Sequence, residues 1–190
     1  MKPEQKVVFL DRDGVLIEDV NYLSRLEDIH FYPDVPKGLR RLKESGYKLV
    51  VITNQSGVAR GYFPESFVRD CHERMNQILK ADQVQLDSFY YCPHHLDGKP
   101  PLNIKCNCRK PFPGMILQAQ EELGLDLDCA VMIGDKQSDI ELAINAQISG
   151  ILLRTGQGLA ALESVRKKFP TIPVCTTFSE AVDTILKSAC

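Results

Sequence analysis

An α/β fold, in which helices cover both faces of one doubly wound parallel sheet, is predicted by three observations. Short apolar runs alternate along the 190 residues with stretches whose apolar side chains recur at helical spacing. The apolar runs are continuous rather than alternating, which is typical of strands that are buried on both faces. The repeated strand–helix–strand order favours parallel pairing.

The individual elements follow from these patterns in chain order. Strands are predicted at one short run near Val174 and at five longer apolar runs, residues 6–10, 47–52, 86–92, 129–133 and 150–153. The first helix is predicted between an N-cap at Asp34 and a stop at Gly46. Further apolar stripes predict helices at residues 67–79, 113–124, 138–147 and 178–189. The segment 93–112, long, polar and rich in Pro, His and Cys, is predicted to be a loop that needs its own reason to be ordered.

Length, composition and charge narrow the class of protein. A chain of 190 residues, 44% hydrophobic and 25% charged, is typical of one globular domain, and no linker or repeat divides it. We expect a single domain over residues 1–190, acting as a monomer. A net charge of -2 without a basic tail gives no electrostatic case for a nucleic-acid partner. Because no apolar run is long enough to cross a bilayer and no secretory signal is visible, we expect no membrane contact and a cytoplasmic location.

Polar residues follow the predicted strands at the edge where an open α/β sheet binds its ligand. The strand ends and the polar loop bring three carboxylates, a hydroxyl and a cation to this edge: Asp11, Asp13, Asp135, Thr53 and Lys110. In extended backbone, residues i and i+2 point to the same side, so Asp11 and Asp13 can address one centre while Arg12 points away. Carboxylates in one cleft repel each other unless a cation lies among them. An oxygen-only set with room for water suits Mg²⁺.

The same set of residues suits a phosphoryl group. A divalent ion, a lysine and a hydroxyl can hold the peripheral phosphoryl oxygens, and a carboxylate can attack the phosphorus. Each residue alone has another interpretation, such as a helix cap for Thr53 or a surface charge for Lys110. A calcium-binding loop that starts at Asp11 is excluded, because Leu16 stands where that loop needs glycine. The joint occurrence of these residues at successive strand ends favours the phosphoryl site.

Cysteine and histidine cluster in the polar loop. Three thiolates and one imidazole form a tetrahedral donor set for structural Zn²⁺, contributed by Cys92, His94, Cys106 and Cys108. The alternative is a loop of free thiols without metal, but a polar loop without a core needs some fastening. His95 is interpreted as a non-ligand, since adjacent side chains of an extended segment point apart. We expect this zinc loop, about residues 92–110, to hold Arg109 and Lys110 toward the phosphoryl site.

These residues resemble the four motifs of the haloacid dehalogenase-like (HAD) phosphohydrolase superfamily, in the family's order and over most of the chain. The matching segments are Phe-Leu-Asp-Arg-Asp-Gly at 9–14, Ile-Thr-Asn-Gln at 52–55, Arg-Lys-Pro at 109–111 and Ile-Gly-Asp-Lys at 133–136 with Asp139. The resemblance implies a Rossmann-like fold without a large cap domain. It also implies that Asp139 orients its neighbours rather than touching the metal.

The resemblance implies a role for each of the other motif residues. Asp11 would be the nucleophile that becomes an aspartyl phosphate. Asp13 would protonate the leaving oxygen and then deprotonate the hydrolytic water. Thr53 and Lys110 would hold the transferring phosphoryl group. Asp11, the main-chain carbonyl of Asp13, and Asp135 would bind Mg²⁺.

The small chain and the C-x-H…C-x-C loop resemble two enzyme families of this superfamily, the heptose-1,7-bisphosphate 7-phosphatases and the histidinol-phosphate phosphatases. Residues 54–61, 92–95, 108–111 and 134–136 look like the first family, which implies a phosphosugar substrate on the route to ADP-heptose or GDP-heptose. The substrate contacts implied beside Asp11, Asp13, Thr53 and Lys110 are Arg12, Asp19, Asn21, Tyr22, Asn54, Gln55, Ser56, Arg109 and Lys136, with Arg60 as a further candidate. A bisphosphate needs a second cation, and Arg109 can make a bidentate contact. The likeness leaves the anomer at C1 open, with histidinol phosphate as the alternative substrate.

Two non-enzyme classes fit part of the pattern. A phosphorylated receiver domain shares the parallel sheet and the acidic pair, but it needs a phosphoacceptor Asp after its third strand, where this chain has Tyr91-Cys92-Pro93. A zinc-stabilised nucleic-acid module should show a basic face with exposed aromatic side chains, whereas the cations here are dispersed and Trp is absent. Neither class would release phosphate from small phosphosugars.

Overall fold

The computed structural model describes residues 5–188, and within them six parallel strands form one sheet. The strands are β1 (Val7–Leu10), β2 (Lys48–Asn54), β3 (Ser88–Cys92), β4 (Val131–Gly134), β5 (Ser149–Leu153) and β6 (Val174–Cys175). Their order in the sheet is β3-β2-β1-β4-β5-β6, so the winding of the chain reverses between β1 and β4. The predicted fold class is confirmed, and the reversal marks the edge where doubly wound sheets bind ligands.

Helices connect the strands on both faces of the sheet. In the described part of the chain they are α1 (Val35–Glu44), α2 (Ser56–Arg60), α3 (Glu65–Leu79), α4 (Gly114–Leu123), α5 (Gln137–Asn145), α6 (Gly158–Lys168) and α7 (Phe178–Lys187). Two single turns of 3-10 helix occur at Leu26–Asp28 and Lys80–Asp82.

The core explains why the strands are continuously apolar. Alternate residues of β1 point to opposite faces: Val8 and Leu10 join the cluster that includes α1, α3 and α7, whereas Val7 and Phe9 join the cluster that includes α4 and α5. Both faces are covered, so every position of the strand is buried. This burial fixes the register that carries the residue after β1 to the sheet edge, with Leu10 opposite Ile133 of β4.

Two helices and one cap differ from the prediction. Helices α2 and α6 lack a sequence prediction, and α6 has a weak apolar stripe because Gly158 and Val165 are its only fully buried residues among those described. The N-cap position of α1 is Asp34, as predicted, but its carboxylate makes no capping bond to α1. Instead it accepts the Ser179 backbone N–H of α7 at 2.8 Å, and thereby joins two helices of the same face.

The polar segment predicted as a loop contains neither helix nor strand between Cys92 and Gly114. No helix within residues 5–188 combines the length and apolarity that a membrane crossing requires. That residues 1–190 form a single domain, and that the protein is a cytoplasmic monomer, stay predictions.

Candidate active site

A buried lysine holds the carboxylate that follows β1. The Asp11 backbone N–H extends the β1–β4 ladder by donating to the Ile133 carbonyl at 3.0 Å. Lys110 arrives from the end of the zinc loop, and its Nζ lies 2.8 Å from Asp11 Oδ1 and 2.7 Å from Asp139 Oδ1. The same Nζ donates to the Ile52 carbonyl of β2 at 3.0 Å. Separate segments thus meet at one buried cation.

Burial and ion pairing act in opposite directions on these charges. Burial alone would raise the pKa of Asp11, but Lys110 and Lys136 more than offset it and hold that pKa below its usual value. Burial would lower the pKa of Lys110, whereas Asp11 and Asp139 keep it raised. Both members of the pair are therefore charged at neutral pH, and Asp11 is in the anionic form that a nucleophile needs.

Asp11 also belongs to a cluster of three carboxylates. One oxygen from each of Asp11, Asp135 and Asp139 lies within 4.8 Å of the others. Burial, and then the Asp11 charge, raises the pKa of Asp135 to about 7. Its Oδ2 accepts the Gln157 backbone N–H at 2.8 Å, whereas its buried Oδ1 has no hydrogen-bond partner among residues 5–188, with Lys136 Nζ 3.7 Å away. Because a buried, unpartnered carboxylate oxygen is unfavourable, this arrangement fits a divalent cation.

Asp139 and Gly14 shape the surroundings of that oxygen set. Asp139 Oδ2 accepts the Lys136 backbone N–H at 3.0 Å while its Oδ1 faces Lys110, so both oxygens are engaged, which suits an orienting role. Gly14 has a φ of +86°, and a Cβ at this position would overlap the Asp135 carboxylate. Only glycine combines that backbone conformation with the close approach.

A second network holds Asp13. The Arg12 guanidinium contacts both oxygens of Asp13 at 3.0 to 3.2 Å and donates to Gln55 Oε1 at 2.9 Å. Gln55 Nε2 in turn donates to Asp13 Oδ2 at 3.1 Å and to Thr53 Oγ1 at 2.8 Å. The prediction that Arg12 points away is wrong, because its long side chain folds back onto the neighbouring carboxylate and is buried.

A cleft of about 290 Å³ opens beside the two networks. Most of the predicted substrate contacts line it, namely Arg12, Asp13, Asp19, Asn21, Tyr22, Asn54, Gln55, Ser56, Arg109, Lys110 and Lys136. Asp11 and Thr53 are buried and are not among the residues that line the cleft. Lining residues without a sequence prediction are Leu23, Gly57, Phe63, Ser138 and Gln157.

Gln157 connects Asp135 of the carboxylate cluster with Asp19 of the cleft lining. Besides its backbone bond to Asp135, its Nε2 donates to Asp19 Oδ2 at 3.2 Å, and Lys136 Nζ lies 3.7 Å from the same oxygen. Gln157 lies four residues after the end of β5, at the same edge as the predicted residues. Applying the strand-end rule to the fifth strand would have found it.

Arg60 faces the zinc loop instead of the cleft. Its guanidinium lies 3.3 Å from Asp97 Oδ2 and 3.3 Å from His95 Nδ1, and it is not among the residues that line the cleft. This position favours a link between α2 and the zinc loop over the substrate contact considered for Arg60. His95 takes part in this link, and Cys92, His94, Cys106 and Cys108 form a cluster that excludes it.

The four predicted zinc ligands lie together. Cys92 Sγ is 3.0 Å from Cys108 Sγ and 3.5 Å from Cys106 Sγ, and His94 Nδ1 is 3.3 Å from Cys108 Sγ. A tetrahedral zinc ion with Zn–S bonds of about 2.3 Å separates its sulfur ligands by roughly 3.8 Å. These three separations are shorter than that, by less than 1 Å, and the donor chemistry of the four ligands is that of a Zn²⁺ site. All four ligands come from protein, which suits a structural ion.

The zinc loop is joined to β2 just where it delivers Lys110. The side-chain amide of Asn54 makes reciprocal bonds with the backbone of Lys110: Asn54 Oδ1 accepts its N–H at 3.0 Å and Nδ2 donates to its carbonyl at 3.3 Å. Arg109 NH1 donates to the His94 carbonyl at 3.2 Å. The end of the loop is therefore fixed both from the zinc cluster and from the sheet.

A family model and two proteins of known name are similar to this chain in sequence. Residues 107–181 match the Hydrolase_like family model, described as HAD-hydrolase-like. The D-glycero-beta-D-manno-heptose-1,7-bisphosphate 7-phosphatase of Haemophilus influenzae is 45% identical over 153 residues, which cover 80% of this chain and 83% of the relative. The D-glycero-alpha-D-manno-heptose-1,7-bisphosphate 7-phosphatase of Photorhabdus laumondii is 40% identical over 153 residues, which cover 80% and 84% of the two chains.

A solved structure has the same architecture. The D,D-heptose 1,7-bisphosphate phosphatase of B. bronchiseptica, complexed with magnesium and phosphate, aligns with a TM-score of 0.86 at 29% identity. The alignment covers 97% of this chain and 99% of that chain. Nearly all of each chain therefore belongs to the shared architecture.

Proposed function

The chain belongs to the haloacid dehalogenase-like phosphatases, in the family of the heptose-1,7-bisphosphate 7-phosphatases, and from this membership we propose that it removes the 7-phosphate of D-glycero-D-manno-heptose 1,7-bisphosphate. The relatives with this activity in their names match about four-fifths of the chain. The product would serve the synthesis of ADP-heptose or GDP-heptose. We also propose how the reaction proceeds, which metal it needs and what each residue of the site does.

One observation carries the chemistry: an anionic Asp11 is paired with Lys110, beside a buried Asp135 oxygen that lacks a hydrogen-bond partner among the described residues. The pair keeps a nucleophile ionised in a buried place, and the unpartnered oxygen marks a position for positive charge. In the first step an Asp11 oxygen bonds to phosphorus while the bond to the sugar oxygen breaks, and the Asp13 carboxylic acid gives its proton to that sugar oxygen. In the second step the Asp13 carboxylate takes a proton from water, whose oxygen attacks phosphorus and frees Asp11.

The contacts of Lys110 and Thr53 suit a phosphoryl group that arrives at Asp11. The Nζ of Lys110 already faces Asp11, Asp139 and the Ile52 carbonyl. When Asp11 becomes an ester it loses its charge, so one N–H of Lys110 can turn to a phosphoryl oxygen. Thr53 Oγ1 accepts a bond from Gln55, which leaves its own O–H free to donate.

Asp11, Asp135 and the main-chain carbonyl of Asp13 would hold Mg²⁺. The clustered carboxylates of Asp11 and Asp135 support this set, and the Asp13 carbonyl is included because the family resemblance implies it. When bound, Mg²⁺ would supply positive charge against the phosphoryl oxygens. The zinc cluster would hold the loop that carries Lys110 and would have a structural role only.

Arg109 supports a bisphosphate as the substrate. It lines the cleft, and no carboxylate among residues 5–188 lies within ion-pairing distance of its guanidinium. The other cationic side chains that line the cleft, Arg12, Lys110 and Lys136, each face a carboxylate. An arginine without such a partner can bind a second phosphate through two parallel hydrogen bonds.

A phosphate-release assay tests the proposal. The zinc-loaded protein would be given Mg²⁺ and four substrates: both C1 anomers of heptose 1,7-bisphosphate, heptose 7-phosphate and histidinol phosphate. We expect kcat/KM to be highest for a bisphosphate, lower for heptose 7-phosphate because Arg109 lacks its partner, and lowest for histidinol phosphate. The Asp11→Asn variant should keep the fold and release no phosphate. A preference for histidinol phosphate would overturn the substrate assignment, and no release from any substrate would overturn the proposed function.

A further inference from the structure

Arg12 is a buried cation whose guanidinium faces Asp13 and Gln55. Only 2% of it is exposed, against 18% for the Asp13 side chain that it faces. Its Nε and NH2 groups each approach both oxygens of Asp13, so the carboxylate is held by a fork rather than by one point contact. A forked contact fixes the plane of a carboxylate as well as its distance.

The surroundings make this pairing specific. Cys71 and His72 of α3 are close enough to feel the Arg12 charge. Burial, and then the Arg12 charge, lowers the pKa of His72 to about 3, so the imidazole is neutral. Gln55 bonds to Arg12, Asp13 and Thr53, which closes the network. A charge removed from water in this way is unfavourable unless its partner stays in place.

We propose that Arg12 is a positioning residue, which aims the Asp13 carboxyl group at the leaving oxygen of the substrate through the fork and through Gln55. The inference rests on the proposed function, because it takes Asp13 as the acid of the first step. Asp13, Arg12 and Gln55 all line the cleft, and the fork and Gln55 hold the Asp13 carboxylate there. A shift of about 1 Å in such a group can cost roughly 100-fold in rate.

The dependence of rate on the leaving group distinguishes a positioning role of Arg12 from a merely structural one. A leaving group that departs easily as an anion needs no proton from Asp13, whereas a sugar alcohol does. Loss of the fork should therefore slow phosphate transfer from alkyl phosphates and much less from p-nitrophenyl phosphate. The quantity to compare is kcat/KM, which contains the steps up to formation of the Asp11 ester and excludes its later hydrolysis.

The experiment is a leaving-group series on the zinc-loaded protein with Mg²⁺, using aryl phosphates of rising phenol pKa together with the phosphosugar. The variants are Arg12→Met, Arg12→Lys, Asp13→Asn and the double variant. Arg41→Met is the matched control, since it also breaks an arginine–aspartate pair, the one with Asp183, away from the cleft. We expect Asp13→Asn to lose about 10²- to 10⁴-fold on the phosphosugar and far less on p-nitrophenyl phosphate.

Arg12→Met should lower kcat/KM for the phosphosugar by about 10- to 100-fold and affect p-nitrophenyl phosphate much less. In the double variant, Arg12→Met should cause no further selective loss beyond that of Asp13→Asn, because both changes remove the same function. Arg12→Lys keeps the charge without the fork, so its kcat/KM should also fall selectively for the phosphosugar. This variant tests the inference if Arg12→Met does not fold.

The inference is wrong, and the proposed function stands, if Asp13→Asn is selective but the Arg12 variants are not. They would be non-selective if kcat/KM fell equally for every leaving group or did not fall at all. If Asp13→Asn itself shows no selectivity, the role proposed for Asp13 fails, and the inference fails with it.

Discussion

The Lys110→Met substitution should destabilise the fold more than any exposed ion pair could. Lys110 is buried and faces two buried carboxylates, at 2.8 Å for Asp11 and 2.7 Å for Asp139. Methionine fills a similar volume but leaves both carboxylates without their cation. Removing one partner of a buried pair typically costs about 3–5 kcal/mol. We therefore expect the free energy of unfolding at pH 7 to fall by about that amount.

The loss of unfolding free energy in Lys110→Met should be larger at neutral pH than at acid pH. In the wild-type protein the pKa of Asp11 lies below its unfolded value, so the pair stabilises the fold above that value and the contribution is lost as the pH falls. In Lys110→Met burial persists while the largest opposing charge is gone, so the pKa of Asp11 should rise above its unfolded value of 3.8. The pKa of Asp139, which burial already raises in the wild-type protein, should rise further. The folded variant then binds more protons than the unfolded chain, and its stability falls as the pH rises. The gap to wild type should thus narrow from neutral to acid pH.

Urea unfolding at about pH 7.5 and 5.5, without added Mg²⁺, measures this gap through the unfolding midpoint and slope. The matched control is Lys43→Met, which removes a partly exposed lysine that lies 2.8 Å from Asp87. Partly exposed pairs contribute about 0–1 kcal/mol, so the control should change little at either pH. If Lys110→Met were as stable as the control at pH 7.5, or if its deficit grew on acidification, the account of the buried pair would be refuted.

Three further outcomes follow from the same site. Replacing Cys108 with Ser should lower zinc content, phosphatase activity and protease resistance of residues 92–110 together, and an active, protease-resistant, zinc-free protein would contradict the coupling. Because the pKa of Asp135 is raised to about 7, Mg²⁺ has to displace a proton below that pH, and its affinity by titration calorimetry should fall roughly tenfold per pH unit there. Gly14→Ala should cost at least about 1–2 kcal/mol from its φ of +86° alone and should weaken Mg²⁺ binding through overlap with Asp135, whereas Gly46→Ala, at φ +84° with open space around it, should share only the backbone cost.

Much of the site could be predicted from the sequence because parallel strands end at one edge. Residues at the end of β2 and directly after β1 and β4 meet there whatever their side chains do, and so Thr53, Asp11 and Asp135 could be placed together. Arg12 could not be placed, because the rule that alternates side chains along a strand says nothing about where a long, flexible side chain ends. Part of the Gln157 contribution comes from its backbone N–H, which has no signature in residue type.

The position of Lys110 depends on the order of the loop that carries the proposed zinc cluster. Lys110 has to enter a buried pocket from a segment without helix or strand, and ordering such a segment costs conformational entropy of about 1–2 kcal/mol per residue. The loop has few apolar side chains to offset that cost, and Leu96, Ile104 and Phe112 are exposed. Four ligands that converge on one ion can order both ends of the loop at once, and the Asn54 bonds then fix the backbone of Lys110 against β2. A zinc ion held by this cluster would therefore explain why the segment with the four ligands directly precedes Arg109 and Lys110 in the sequence.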